Sequence, residues 1–270
     1  MSQRKFQFYI VPTPIGNISD ITLRAIEVLK EVDFIACEDT RTTQKLLNHY
    51  DIRTKCVSYH KYNERERVDF FLNELRNGKT IALVSDAGTP MICDPGNVIV
   101  DELRKENFAV TALPGASAVT TFLSQVPRGG EEFAFVGFIP RSEKQIKELA
   151  QKYAGINTVF YDSPERILKT LDCIKEIRPI AKLALARELS KLFEEVVIGT
   201  AEEITNHFQE GIRGEIVCMI YAEENAELVD LEIKIKELKD KGFKAKEIAT
   251  IISTLFGLNK NEVYQTVINQ

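Results

Sequence analysis

Short β-branched and aromatic runs alternate with stretches of helical period through the first 115 residues of the chain. "FQFYIV", "DFIACE", "KCVSYH", "TIALVS" and "FAVTAL" read as strands. Between the first two, Ile21, Ala25, Val28, Leu29 and Val32 fall on one face, which predicts a helix over Ile21 to Val32. Arg67 to Gly78 has the same period and ends on a glycine suited to a helix C-cap. Strand–helix alternation of this kind predicts an α/β domain with a largely parallel sheet and ligands at the carboxyl ends of its strands.

The pattern changes at "LPGASAVTTFLSQVP" (Leu113 to Pro127), which reads as a strand end, a Pro-Gly turn and a helix start, and makes the best domain hinge in the chain. Beyond it come "EFAFVGFIP", "NTVFYDSP", "KLALARELS", "LFEEVVIGT" and "EIVCMIYA", with fewer helical stretches between them. Their sheet is therefore expected to contain antiparallel neighbours. After Tyr221 three helical stretches, parted at Lys241-Gly242 and at Gly257-Leu258-Asn259, predict a small trihelical tail. The expected organisation is an α/β domain over 1–115, a second over 116–223 with a cleft between them, and a helical domain over 224–270.

Composition narrows the class. Of the 270 residues 44% are hydrophobic and 28% charged, and no apolar run approaches the roughly 18 to 20 residues a membrane span needs. The N-terminal apolar run is too short for a signal peptide and ends in prolines, so it reads as a first strand. Five cysteines, scattered and without a C-x-x-C, suggest neither a disulfide framework nor a zinc site, and point to a reducing cytoplasm. Only three histidines occur, with no two at helical ligand spacing, so a metal centre is not expected. The net charge of −5 argues against coating nucleic acid through global charge. The tail is neutral, seven Lys against seven Asp and Glu from Ala226 onward, which favours a docking or dimerising bundle over a nucleic-acid reader.

Four strand ends carry unusual loops: "VPTPIGN", "EDTRTT", "SDAGTPMICDPG" and "LPGASA". The first is not a dinucleotide fingerprint, because prolines stand where G-x-G-x-x-G needs glycines and bare amides, and no phosphate loop of the G-x-x-x-x-G-K-[ST] type occurs. In the third, Asp86 and Asp94 would repel phosphate, and no Lys or Arg lies between Leu83 and Gly96. A neutral or cationic ligand suits it better, on a shelf stiffened by prolines. Each loop alone also reads as a turn, with Asp94 capping the helix that begins near Gly96. One located basic stretch exists. From Arg41 to Arg67 there are seven basic residues against three acidic, with Tyr59 and Tyr62 interleaved, a composition that fits an RNA-facing surface and an exposed solvated loop equally.

Taken in order, "YIVPTPIGNISDITLRAIEVL", "EDTRTTQKLL", "SYHKYNE", "LVSDAGTPMICDPG", "LPGASA", "GFIP", "FYDSPER", "ARELSKLFEE" and "RGEIV" resemble the small-subunit ribosomal RNA 2′-O-methyltransferases of the tetrapyrrole methylase superfamily. The resemblance spans about Tyr9 to Tyr221, and the tail resembles the family's C-terminal helical domain. Departures are small: Glu165 stands where the family often has His, and "PGAS" where it has "PGPS" or "PGPC".

The resemblance implies two α/β domains that bind S-adenosylmethionine in the cleft between them, as a homodimer. It implies methylation of the ribose 2′-hydroxyl of one cytidine in the decoding region, on small-subunit rRNA or the assembled small ribosomal subunit. By matching motif positions, cofactor contacts are expected at Pro14, Ile15, Thr89, Ile92, Ser117, Ala118, Tyr161, Ala186 and Val217. Asp39, Asp86, Asp94 and Glu188 are candidates for taking or orienting the hydroxyl proton, and Arg41, Arg187, His60 and Asn63 for contacting RNA. The cofactor's sulfonium methyl is already electrophilic. Alignment is worth about 7 to 11 kcal/mol and a general base roughly 10² to 10⁴ in rate, so positioning should dominate. Two rivals remain: a methyltransferase of the same fold acting on a tetrapyrrole or other small molecule, and a non-enzymatic nucleic-acid-binding protein that works through the tail.

Overall fold

The computed structural model describes residues 6–223, 234–256 and 258–269. The first lobe is a five-stranded, all-parallel sheet built from β1 (Phe8–Ile10), β2 (Phe34–Cys37), β3 (Lys55–Ser58), β4 (Ile81–Val84) and β5 (Val110–Ala112) in the order β3-β2-β4-β1-β5. Strands buried on both faces need unbroken apolar runs, and β4, Ile-Ala-Leu-Val, is buried at every position. Helices α1 (Leu23–Glu31) and α2 (Thr40–His49) cover one face through Ala25, Leu29, Leu46 and Leu47. The other face is covered by α3 (Glu64–Arg76) and α4 (Asn97–Lys105) through Val68, Phe71, Ile99 and Leu103.

This order places a crossover point beside β1. The chain leaves β1 toward β2 on one side and leaves the adjacent β4 toward β5 on the other, so the two loops part and open a crevice at their carboxyl ends. The crevice is bridged at its floor. Thr13 and Gly88, just beyond β1 and β4, exchange two backbone hydrogen bonds of 2.9 Å.

The second lobe holds β6 (Phe133–Phe138), β7 (Asn157–Asp162), β8 (Lys182–Arg187), β9 (Glu195–Thr200) and β10 (Ile216–Ile220) in the order β6-β7-β10-β8-β9. Only β6 and β7 pair in parallel; the other pairs are antiparallel, as fewer intervening helices require. Helices α6 (Glu143–Lys152), α7 (Ile167–Ile177) and α8 (Ala201–His207) pack on one face. The opposite face takes α5 (Ala118–Leu123) together with Ile15 from the first lobe, so the two lobes share a core.

In the tail, a helical stretch α9 (234–240), α10 (Ala245–Phe256) and α11 (Lys260–Asn269) gather around Ile235, Ile248, Ile252, Val263 and Val267. The expected start of the tail, 224–233, and the separator Gly257 lie outside the described residues.

Two local expectations change. Helix α3 begins at Glu64, earlier than Arg67, because the Asn63 side chain closes the preceding turn: its Oδ1 accepts from the His60 amide (2.8 Å) and its Nδ2 donates to the Ser58 carbonyl (3.2 Å). Asp94 does not cap α4. The cap position is Gly96 at φ 140°, whose amide donates instead to Glu64 Oε1 at 2.9 Å.

Candidate active site

The crevice beyond β1 and β4 continues into a cavity of about 560 Å³ whose far wall is the second sheet. That is within the range of small-molecule and cofactor sites. Its near wall comes from three of the four loops that the sequence marks as unusual, those after β1, β4 and β5, while "EDTRTT" contributes no lining residue, and hydrogen bonds hold the loops to one another. Thr13 Oγ1 donates to the Ser85 carbonyl (2.9 Å), and Thr89 Oγ1 donates to the Ala116 carbonyl (3.0 Å), tying the β4 loop to the hinge. Gly115 lies flat against Pro12; a Cβ there would sit 2.6 Å from the proline Cβ. Met91 and Cys93, both at φ 72°, and Glu188 at φ 52° hold left-handed conformations that cost free energy, and such strain gathers at ligand sites.

Among the residues lining the cavity none is Lys or Arg, whereas Asp86, Asp94, Asp162, Glu188 and Glu215 all do so. Ile15, Ile92, Leu189 and Val217 supply an apolar wall with Tyr161. A ligand with a cationic centre and a flat apolar part fits this lining; a phosphate does not.

The carboxylates differ sharply in surroundings. Asp162 is fully satisfied, accepting from Thr170 Oγ1 (2.6 Å) and the Ser163 amide (2.9 Å) with Arg166 at 3.3 Å. Glu188 pairs with Lys191 (2.8 Å) and accepts from the Glu215 amide (3.0 Å), and its carboxyl is held below the usual range chiefly by Lys191. Among the described residues no cation pairs with Asp94. Burial, then the nearby Glu38 and Asp86, push its carboxyl up to about 6, against a smaller opposing pull from the Ser85 hydroxyl. Asp86 and Glu38 are raised as well, in both cases chiefly by burial.

Of the residues expected to meet cofactor, Ile15, Thr89, Ile92, Ser117, Ala118, Tyr161 and Val217 line this one cavity. Pro14 and Ala186 do not. Ala186 is wholly buried in β8 opposite Val217 and packs behind the wall with Ile15, because a strand buried on both faces turns this position inward. Of the proton-handling candidates, Asp86, Asp94 and Glu188 line the cavity and Asp39 does not. Asp39 caps α2 by accepting from the Arg41 amide (2.8 Å), and it grips the Arg41 guanidinium at 2.7 and 3.1 Å, which holds its carboxyl at about 2.

The RNA candidates lie outside the cavity. Arg41 is exposed with its charge already engaged by Asp39. Arg187 is committed to Glu195 at 2.7 Å and lies over the Phe208 ring. Asn63 braces its own turn, and His60 is half-buried with Nδ1 lacking a partner. The cavity is also lined by Phe138, Asp162 to Pro164, Gly214 and Glu215, none of them expected from the sequence, and Glu38 lies near Asp94 without lining it. All fall within the marked stretches "EDTRTT", "GFIP", "FYDSPER" and "RGEIV", so membership of a marked stretch is the available signal.

Fold and sequence now define a class. Residues 7–205 match the family model described as Tetrapyrrole (Corrin/Porphyrin) Methylases, and the chain belongs to that family. Within it, the chain is similar to ribosomal RNA small subunit methyltransferase I of Halalkalibacterium halodurans, at 41% identity over 96% of this chain and 94% of that protein. It is also similar to the protein so named in Vibrio cholerae, at 39% identity over 95% of this chain and 92% of that one. Among solved structures, the fold is similar to a cobalt precorrin-4 methyltransferase, with a TM-score of 0.59 at 15% identity over 78% of this chain and 93% of the other. It is similar too to a Thermus thermophilus uroporphyrin-III C-methyltransferase complexed with S-adenyl homocysteine, with a TM-score of 0.55 at 20% identity over 79% and 96%.

Proposed function

We propose that this protein is an S-adenosylmethionine-dependent rRNA methyltransferase that transfers a methyl group to the ribose 2′-hydroxyl of a cytidine in the decoding region of small-subunit rRNA. The observation that carries the reading is the cavity shared by both lobes, with carboxylates and an apolar wall and with no Lys or Arg among its lining residues. S-adenosylmethionine supplies an electrophilic methyl on a cationic sulfur and needs no phosphate cradle. The relatives at about 40% identity are named for small-subunit ribosomal RNA, which favours this acceptor over a tetrapyrrole or other small molecule.

Ile15, Ile92, Tyr161 and Val217 would hold the apolar part of the cofactor, and Thr89, Ser117 and Ala118 would offer side-chain or backbone polar groups from loops that bind one another. Asp94 takes the 2′-hydroxyl proton. It is the cavity carboxylate whose proton affinity is raised furthest, to about 6, whereas Glu188 is neutralised by Lys191 and Asp39 lies elsewhere. Asp86 keeps the surroundings negative and braces the β2 loop. The protein works as a homodimer in the cytoplasm, on free rRNA or on the assembled subunit; among the described residues no helix is long and apolar enough to cross a membrane.

The test is transfer of labelled methyl from S-adenosylmethionine to assembled small subunits and to free rRNA, followed by mapping of the modified nucleotide. A 2′-O-methylcytidine at one position is expected. No incorporation into either substrate overturns the reading.

A further inference from the structure

The turn between β3 and α3 displays one aromatic ring at the surface. Tyr62 is 94% exposed, more than any other large apolar side chain among the described residues. The turn beneath it is closed by hydrogen bonds. The amides of Asn63 and Glu64 both donate to the His60 carbonyl (2.9 and 3.0 Å), and the Asn63 side chain clamps His60 and Ser58. Tyr59, by contrast, is 1% exposed, with its hydroxyl donating to Glu64 Oε1 at 2.9 Å. The two tyrosines of this stretch therefore divide their labour: one anchors the turn and the other is held out in water, where it contributes nothing to the core.

Two further facts give the exposed ring a direction and a partner. Lys61 and Arg65, on either side, are exposed cations, and no ion pair engages either of them among the described residues. The His60 ring stands 6.1 Å from that of Tyr62, edge to face. Glu38, at the end of the neighbouring strand β2, lies close enough to interact electrostatically with His60 on one side and with Asp86 and Asp94 on the other. The turn thus stands next to the acidic end of the cavity. An exposed aromatic face on a hydrogen-bonded turn, flanked by unpaired cations, is what a single-stranded nucleic acid requires, since every base has a stackable face and every link a phosphate.

We propose that Tyr62 is a stacking platform for a base of single-stranded RNA beside the nucleotide being modified, with Lys61 and Arg65 on the adjoining phosphates. The inference rests on the RNA acceptor proposed above and adds the residue that orients it.

The chain contains no tryptophan, so Tyr62→Trp introduces a single indole at this point, excited to the red of the tyrosines. Its emission should be quenched on titration with a single-stranded oligoribonucleotide of mixed sequence and should change little with a duplex of the same length. In steady-state transfer to small ribosomal subunits, Tyr62→Ala should raise KM roughly 5- to 150-fold, the range of one base–aromatic stack. Its kcat and its affinity for S-adenosylhomocysteine should stay unchanged, and Tyr62→Phe should restore KM. An unchanged KM in Tyr62→Ala, or no quenching by single-stranded RNA, overturns the inference. Failure of the wild-type protein to methylate any RNA overturns the proposed acceptor instead, and the quenching titration, which needs no turnover, still decides the role of Tyr62.

Discussion

The backbone amide of Asp39 donates to Asp86 Oδ1 at 3.1 Å, joining the loops that follow β2 and β4. This bond sorts the acidic residues of the site. Asp39 turns its own carboxylate away, onto the start of α2 and the Arg41 guanidinium. Asp86 spends an oxygen on a backbone donor, whereas Asp94 faces the cavity with only the Ser85 hydroxyl to ease its charge.

Asp94→Asn should therefore lower kcat by roughly 10² to 10⁴, the range for loss of a general base, while Asp39→Asn and Glu188→Gln leave kcat within about tenfold. Calorimetry with S-adenosylhomocysteine, which lacks the sulfonium charge, checks that the cavity of each variant is intact. Equal losses in all three variants would remove Asp94 from its assigned role.

The rate of methyl transfer should follow the ionised form of Asp94. With its carboxyl raised to about 6, the single-turnover rate at saturating cofactor should level off above that pH and fall about tenfold per unit below it. In Asp94→Asn this limb should vanish. A limb near pH 4 in the wild type would indicate another base.

The same raised carboxyl opposes folding when ionised. Between the unfolded value near 3.8 and the folded value of about 6 the native state binds the extra proton, so stability falls as pH rises through that window and stays lower above it. Asp94→Asn removes the loss. After allowance for solvent screening it should gain about 1 kcal/mol at pH 7 to 8 and nothing near pH 4, read as a Tm increase of roughly 2 to 4 °C at the higher pH alone.

Gly115 is required by its closeness to Pro12 and not by its backbone angles. Gly115→Ala should destabilise the protein by about 1 to 3 kcal/mol, as overpacking does, and weaken S-adenosylhomocysteine binding through displacement of the β1 loop. Gly129→Ala, where nothing lies within 4 Å of the new carbon, is the control and should melt within about 0.5 kcal/mol of wild type.

Ile92 is exposed on the cavity wall, and Thr89 ties that wall to the hinge. Ile92→Ala should weaken cofactor binding about tenfold through lost apolar contact, at roughly 1.4 kcal/mol, with little change in stability. Thr89→Val should weaken it by loosening the loop. Calorimetric affinities equal to wild type in both variants would exclude this wall from the cofactor site.

The alternation of apolar and polar positions was enough to place the strands and to separate a parallel first sheet from a mixed second one, because a strand buried on both faces and a helix with one apolar face leave different periods in the chain. The unusual loops could likewise be marked as site-forming and unfit for phosphate, since proline, glycine and aspartate have local chemistry that does not wait on neighbours. What each of those residues does could not be read the same way. Asp39, Asp86, Asp94 and Glu188 look alike in sequence, and so do Tyr59 and Tyr62. Asp39 and Glu188 find their cations nearby in the chain, at Arg41 and Lys191, but only the packed structure sets Asp94 beside Glu38 and Asp86, buries Tyr59 in the core and leaves Tyr62 in water. Burial and the charges of distant segments set an acid's affinity for its proton, and those are fixed by strand order and register, which bring residues far apart in the chain within a few ångströms of one another.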